Sequence, residues 1–361
     1  MDAQRTFRTY ERRPFDAAAC TQCGACLATC PMLRMAEAEA QAALPELVRC
    51  WEEKGKRGQS PFSKGTALAE RVLAGCTSCF ACNLVCPEDC RPANLILDIW
   101  HARYLREGLP ERARFFLPHS VPNFRTHVLD RMPADERAAV ESWRQVTPAP
   151  ECLYPGCNLI TTPYLTFSKL FEGVPIRGAL EYCCGEMYLR MGLYEPLEEV
   201  ARKTTAYFRA LEARTVYLLC TAGLNMFTHV LPQFGAEFDG IAFVPYLKMI
   251  HDKLASGAWP IVRRCDGERI TIQDSCHAKI YEPGYAEWPR KVLALIGFEV
   301  VEAPCHADEA LCCGIGSGFS HTTAYAKRAL VAGQRRCLRN ARASGAGRVA
   351  VYCSGCLEML T

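Results

Sequence analysis

Cysteine placement constrains this chain more than any other feature of its sequence. Cys20, Cys23, Cys26 and Cys30 precede Pro31, and Cys76, Cys79, Cys82 and Cys86 precede Pro87, so one C-x2-C-x2-C-x3-C-P run occurs twice. A run of this kind puts three thiolates on one short curled loop and sends the fourth, beside its proline, to a neighbouring iron-sulfur cluster. The two segments must therefore fold against each other. By this crossed rule one cubane [4Fe-4S] cluster takes Cys20, Cys23, Cys26 and Cys86, and a second takes Cys76, Cys79, Cys82 and Cys30. A pair of zinc sites is the alternative, since zinc also binds four thiolates, often through C-x2-C pairs. Three close ligands plus one sent elsewhere suit interleaved clusters better.

The chain has 23 cysteines among its 361 residues, enough length for two or three domains. Its start, MDAQRTFRTYERRPFD, is polar and has no apolar core of the kind a secretory signal needs. A cytoplasmic location is expected, and in a reducing compartment such a pattern means metal or catalysis, not disulfides. No window approaches the ~18 to 20 apolar residues of a spanning helix, so contact with a membrane is expected only peripherally, through a partner subunit. The formal charge of +3 counts neutral cysteines. Metal-bound thiolates make the loaded protein more acidic, and no nucleic-acid footprint is indicated.

Between the two arrays, residues 35–51 are apolar and alanine-rich and read as helix, interrupted by Pro45. The gap has few β-branched residues, so an all-helical two-cluster domain is expected. The segment PANLILDIWHARYLRE supports it, with Leu95, Ile99 and Ala102 on one face, Ile96, Trp100 and Tyr104 on another, and Pro92 near its start. Residues 117–149 carry Pro118, Pro122, Pro133 and Pro148 among charges, the composition of a linker with one short helix at 135–143. Beyond it, short β-branched runs alternate with amphipathic helices, which predicts α/β architecture with a mainly parallel sheet. Three strands are expected to end at cysteines, at residues 215–220, 270–276 and 349–353. Ligands in open α/β sheets sit beyond the carboxyl ends of strands. Two of these strands lead straight into predicted helices, whose first amides favour thiolate.

The second half repeats itself. Cys183-Cys184-Gly185 and Cys312-Cys313-Gly314 each stand between further cysteines, with Cys276 and Cys353-x2-Cys356 around the later copy and Cys157 and Cys220 around the earlier one. This arrangement resembles the cysteine-rich CCG domain pair of the heterodisulfide reductase family, whose relatives include iron-sulfur subunits of glycolate, lactate and anaerobic glycerol-3-phosphate dehydrogenases. The eight array cysteines likewise resemble its ferredoxin-like subunit. The resemblance implies an α plus α/β chain: a helical ferredoxin domain at 1–116, a linker at 117–149, a first CCG repeat at 150–260 and a second at 261–361.

The same resemblance implies that a complete five-cysteine set binds a noncubane [4Fe-4S] cluster active in disulfide chemistry. The second repeat keeps all five positions, Cys276, Cys312, Cys313, Cys353 and Cys356. The first has Gly223 where the last should stand, leaving Cys157, Cys183, Cys184 and Cys220, a set suited to an ordinary cubane. Cys152 is an alternative to Cys157, because the spacing to Cys183 is short. Cys50, Cys265 and Cys337 match no array and read as small buried hydrophobes, while Cys90 and Cys305 lie near arrays and are not assigned as ligands.

The run Gly314-Ile315-Gly316-Ser317-Gly318 follows no strand and ends in no Lys-Ser/Thr, so close backbone approach to a cluster explains it better than a nucleotide. His277 and His306, each beside a cysteine, are candidates for tuning a cluster or for structural bonding, and Lys279 and Arg264 read as solvated charges. With neither flavin site nor span expected, the implied partners are a flavoprotein, a membrane cytochrome subunit, or both, with a small thiol or disulfide substrate or electron carrier. The implied function is an oxidoreductase subunit that carries electrons to a CCG cluster for disulfide and thiol chemistry. Its alternative is a non-catalytic relay for a flavin-dependent 2-hydroxyacid or glycerol-3-phosphate dehydrogenase feeding quinone.

Overall fold

Among the described residues, two small parallel sheets follow residue 150, and the rest is mostly helical. The structure, a computed structural model, describes residues 14–53, 67–280, 282, 284–315 and 327–361, with the side chains of 327–329 excepted. Most of the polar start and the Gly316-Ser317-Gly318 part of the glycine run lie outside the described residues.

Among the described residues up to 116 there are helices and no strand: Ala25–Ala28, Glu37–Glu53, Ala67–Gly75, Ala81–Val85, Pro92–Glu107 and Glu111–Phe116. The expected break at Pro45 does not occur. One helix runs from Glu37 to Glu53 through it, because Ala40, Ala43 and Leu44 before the proline and Leu47 and Val48 after it are buried in one core. Burial of that stripe outweighs the single backbone bond a proline forfeits. The helix Pro92–Glu107 has its expected bounds and is buried on more than one side, with Leu95, Ile96, Ile99 and Trp100 all inside. Trp51 Nε1 donates to Asp98 Oδ2 at 2.9 Å, tying the two helices together.

The linker region holds two helices where one is expected, Phe124–Leu129 and Ala134–Trp143. The extra one starts with a capping box, in which Asn123 accepts from the backbone of Thr126 and the Thr126 hydroxyl accepts from that of Asn123.

Strands β1 (Glu151–Tyr154), β2 (Thr215–Leu218) and β3 (Ala242–Pro245) form one parallel sheet in the order β1-β2-β3. Strands β4 (Arg269–Gln273), β5 (Glu299–Val300) and β6 (Val349–Val351) form the other, in the order β5-β4-β6. The strands stop two or three residues short of the cysteines, so Cys220 and Cys353 cap the helices Thr221–Asn225 and Ser354–Leu360. The pair β1 and β2 corresponds to the pair β4 and β6: each member is followed by a cysteine, namely Cys157, Cys220, Cys276 and Cys353. All four thiols thus lie beyond the carboxyl edges of parallel strands, as expected for ligand-bearing positions. Around the first sheet, rings of Tyr154, Phe208, Phe227 and Phe243 pack edge to face or stacked, with Phe227 and Phe243 centroids 4.9 Å apart.

Candidate iron-sulfur centres

The two arrays repeat their backbone as well as their sequence. Gln22 and Gly24 have left-handed φ of 55° and 78°, and Ser78 and Phe80, at the same places in the second array, have 51° and 59°. This alternation curls each loop so that its three sulfurs face inward. In the first loop the position after the second cysteine must be glycine, because a β-carbon on Gly24 would lie 2.7 Å from the backbone nitrogen of Gln41. Phe80 meets no such wall and is buried against His277, with ring centroids 6.5 Å apart.

The sulfurs of the two arrays lie close together, with Cys86 near Cys26 and Cys79 near Cys30. Cys26 is pushed up to about 12 by burial and by the neighbouring charges of Cys86, Cys20 and Cys23. Cys82, well above its usual value, is raised by burial and then by Cys76, Cys26, Cys79 and Cys30. Cys30 lies in the field of Cys79, and Cys76 in that of Cys30 and Cys79. The backbone of Ser78 donates to Cys76 Sγ at 3.4 Å. Among the described residues no three His, Cys, Asp or Glu side chains are set to hold a single metal ion.

The two CCG blocks build one motif twice. Hydrogen bonds from Cys157 and Cys184 hold the Cys183 thiol well below its usual value, and hydrogen bonds from Cys276 and Cys313 do the same for Cys312. The following glycine amide also points at the sulfur, with Gly314 N donating to Cys312 Sγ at 3.4 Å. Each double cysteine thus has its first thiol as the common acceptor.

In the first repeat Cys157, Cys183, Cys184 and Cys220 are buried and in contact. Cys152 stays apart inside β1, away from these thiols, so it does not replace Cys157. Gly156 allows the approach: its φ is +70°, and a β-carbon there would overlap Cys220 Cβ and sit 2.8 Å from its Sγ. At the place of a fifth ligand stands Gly223, and a β-carbon there would meet Leu218 Cδ2 and Phe227 Cε2 at ordinary contact distance, 3.4 Å, so the position is lined by apolar side chains and supplies no thiolate. Sequence reasoning missed Arg125. The residue is 1% exposed, and its guanidinium donates from Nε to Cys157 O at 3.1 Å, from Nη1 to Phe116 O at 3.0 Å and from Nη2 to Asn158 Oδ1 at 3.0 Å. The guanidinium also lies over the Phe124 ring and in the field of the Glu358 carboxylate, and it sets a buried positive charge beside the Cys157 thiol, where it would favour a metal-thiolate anion.

In the second repeat Cys276, Cys312, Cys313, Cys353 and Cys356 come together. Cys353 is drawn down to about 6, chiefly by a hydrogen bond from Cys356, against burial, with the amides of Cys356 and Gly355 and the Ser275 hydroxyl assisting. Cys337 packs beside Cys313 and Cys356 but bonds to Leu311 O at 3.7 Å, and Cys50 is buried, both as small hydrophobes. Cys265 is half-buried. Cys305 lies apart from the five, its backbone held by Asn340.

The second site adjoins the second array: Cys79, Cys276 and Cys312 share one buried cluster with Met32 at its edge. Arg190 crosses the same junction, donating from Nη2 to Thr77 O at 2.7 Å while its own carbonyl accepts from Ser78 Oγ at 2.7 Å. Arg336 Nη1 donates to Pro31 O at 2.7 Å. His277 is buried with Nδ1 3.2 Å from Glu186 Oε1. Burial works to raise the Glu186 carboxyl, and Arg190 and His277 outweigh it and hold it below the usual range. His306, by contrast, bonds to Ala303 O at 2.8 Å in a structural role. Lys279 is a correction to the sequence reading: it is buried, and its Nζ donates to Ala310 O at 3.2 Å. Arg264 is exposed as expected and pairs with Asp266 at 2.9 Å.

Among the described residues no helix is long and apolar enough to cross a membrane. Residues 16–90 match the family described as 4Fe-4S dicluster domain, and residues 270–361 match the cysteine-rich CCG domain. The chain is similar to the probable iron-sulfur-binding oxidoreductase FadF of Bacillus subtilis, at 24% identity over 72% of this chain and 39% of that one. It is also similar to one of the subunits of the fumarate reductase (CoM/CoB) of Methanothermobacter marburgensis, at 24% identity over 83% of this chain and 59% of the relative. A further relative, from the ferredoxin:CoB-CoM heterodisulfide reductase of Methanosarcina acetivorans, matches at 25% identity over 32% of this chain and 40% of its own. The chain therefore spans less than two thirds of each of these relatives. No solved structure matches it.

Proposed function

We propose that this chain, which joins a 4Fe-4S dicluster domain to a cysteine-rich CCG domain and has iron-sulfur oxidoreductases among its relatives, is the electron-transfer and disulfide-active subunit of a heterodisulfide reductase-like complex. The domains are a helical ferredoxin unit at 1–116, a linker at 117–149 and CCG repeats at 150–260 and 261–361. One observation carries the reading: Cys79 of the second array packs with Cys276 and Cys312 of the complete five-cysteine set. The array that would pass electrons and the set that would use them share one buried wall.

The residues fit the groups assigned to them. Cys20, Cys23, Cys26 and Cys86 would hold one [4Fe-4S] cubane, and Cys76, Cys79, Cys82 and Cys30 the other. Cys276, Cys312, Cys313, Cys353 and Cys356 would hold a noncubane cluster, and Cys157, Cys183, Cys184 and Cys220 a further cubane. Such clusters supply one-electron transfer, and the five-cysteine one the cleavage or formation of a disulfide. The protein's part is to exclude water, to aim the amides of Ser78 and Gly314 at sulfur, and to set Arg125, Arg190 and Arg336 beside the anionic groups. A flavoprotein or a membrane cytochrome subunit would exchange electrons with it, and the chain would work in the cytoplasm or peripherally at the membrane through that partner.

A second reading has its own observation. Glycine at position 223, with apolar neighbours, leaves the first repeat one thiolate short and favours a relay without catalysis, serving a flavin-dependent 2-hydroxyacid or glycerol-3-phosphate dehydrogenase. Anaerobic purification with iron and acid-labile sulfide analysis, followed by paramagnetic resonance of the oxidised protein with added 2-mercaptoethanol, separates the two. A thiol-dependent change that Cys312→Ser abolishes is the expected result. Signals that ignore the thiol, with reduction by a co-purifying flavoprotein, would establish the relay.

A further inference from the structure

Cys90 belongs to no array, yet it is built into the first cluster site. It is 1% exposed, and its side chain lies beside Cys86 and Cys20. Its amide donates to Cys86 Sγ at 3.4 Å, and its carbonyl accepts from the amide of Asp16 at 3.1 Å. It lines one cavity together with Phe15, Cys20, Cys23, Cys26 and Cys86.

The backbone on either side is strained to achieve this. Asp89 and Arg91 both adopt left-handed φ, 53° and 59°, although neither is glycine, and their side chains pair with each other at 3.2 Å. Two such residues around one cysteine persist only where the surroundings dictate them, and such strain concentrates at functional sites. Arg91 also caps the helix Pro92–Glu107, so the helix start fixes the position of Cys90 against the first array.

We infer that Cys90 is a fifth, exchangeable ligand of the first cluster site, able to replace Cys86 or Cys20 at iron. The inference rests on the proposed cluster there. In the exchange the iron-sulfur bond of one cysteine breaks as that of Cys90 forms. Cys90 releases its thiol proton and the freed side chain takes one up, so neither net charge nor electron count changes. Cys20 and Cys86 are both partly exposed, and a buried reserve thiol beside them would keep the cluster bound when either is lost.

The test compares iron and sulfide content, and the paramagnetic resonance of the dithionite-reduced protein, in Cys86→Ser, Cys90→Ser, the double variant, and Cys20→Ser. Each single variant is expected to keep the wild-type iron content, with an altered resonance in Cys86→Ser and Cys20→Ser. The double variant is expected to lose one cluster's worth of iron. If Cys86→Ser and Cys20→Ser each lose as much iron as the double variant, while Cys90→Ser matches wild type in content and resonance, the inference is wrong. Should Cys86→Ser not fold, Cys20→Ser with and without Cys90→Ser decides the same point. A wild-type protein without iron at this site would overturn the cluster reading itself, a separate outcome.

Discussion

Cys79 and Cys276 meet in one buried cluster although they come from opposite halves of the chain. Both stand on loops, and Arg190, from a third segment, clamps the junction through Thr77 O. Replacing Arg190 with Met would strand that carbonyl and leave Glu186 buried without one of its cations. A loss of ~3 kcal/mol is expected, read as a lower urea midpoint. A change below about 0.5 kcal/mol, the usual range for a surface site, would show that the clamp is not needed.

Arg125→Met tests the first repeat. The variant removes three hydrogen bonds and the buried positive charge beside Cys157, so iron at that repeat should fall while the resonances of the two array clusters persist. The stability cost should be about 3 kcal/mol. Unchanged iron content would mean that the guanidinium serves packing alone.

Gly156→Ala makes a sharper version of the same test, because a β-carbon there overlaps Cys220 on a backbone with φ of +70°. The backbone strain alone costs ~1–3 kcal/mol. Iron analysis should show loss confined to the first repeat, with the thiol-sensitive signal of the second intact. Joint loss of both would indicate that the repeats fold as one cooperative unit.

A pH prediction comes from Glu282, whose carboxyl is raised by burial, which outweighs a hydrogen bond from Trp288 Nε1 at 3.3 Å and the nearby charge of Lys248. A raised folded-state value means the group favours folding most in acid, and that this contribution is lost as pH rises through the folded value. Glu282→Gln keeps an acceptor for Trp288 and removes the half-buried charge. Thermal melts should therefore find the variant more stable than wild type at pH 7, with the difference shrinking toward pH 4. An equal difference at both pH values would contradict the assignment.

The grouping of the eight array cysteines was legible because their spacing is short and repeated, whereas Cys276, Cys312 and Cys353 stand far apart in the chain and were grouped only through a family resemblance. The helix Pro92–Glu107 was legible for a similar reason, its apolar residues recurring at helical period behind a proline suited to a first turn. What escaped depends on tertiary contact. Nothing local marks Arg125 or Glu186 as buried beside thiols, and Cys90 stands outside every spacing rule although the fold brings it to Cys86 and Cys20. Lys279 reads as a surface charge until the carbonyl of Ala310 is found at its tip. Pro45 reads as a break because its cost is local and the compensating burial is not.

Electrons should pass from the paired array clusters to the five-cysteine set through the Cys79 and Cys276 junction. The direct measurement is to reduce the purified protein with dithionite, remove excess reductant, and add bis(2-hydroxyethyl) disulfide while following the array signals by paramagnetic resonance. In wild type those signals should vanish as the disulfide takes two electrons and two protons to become two thiols, and in Cys276→Ser they should persist. Persistence in both proteins, or equal loss in both, would contradict the account.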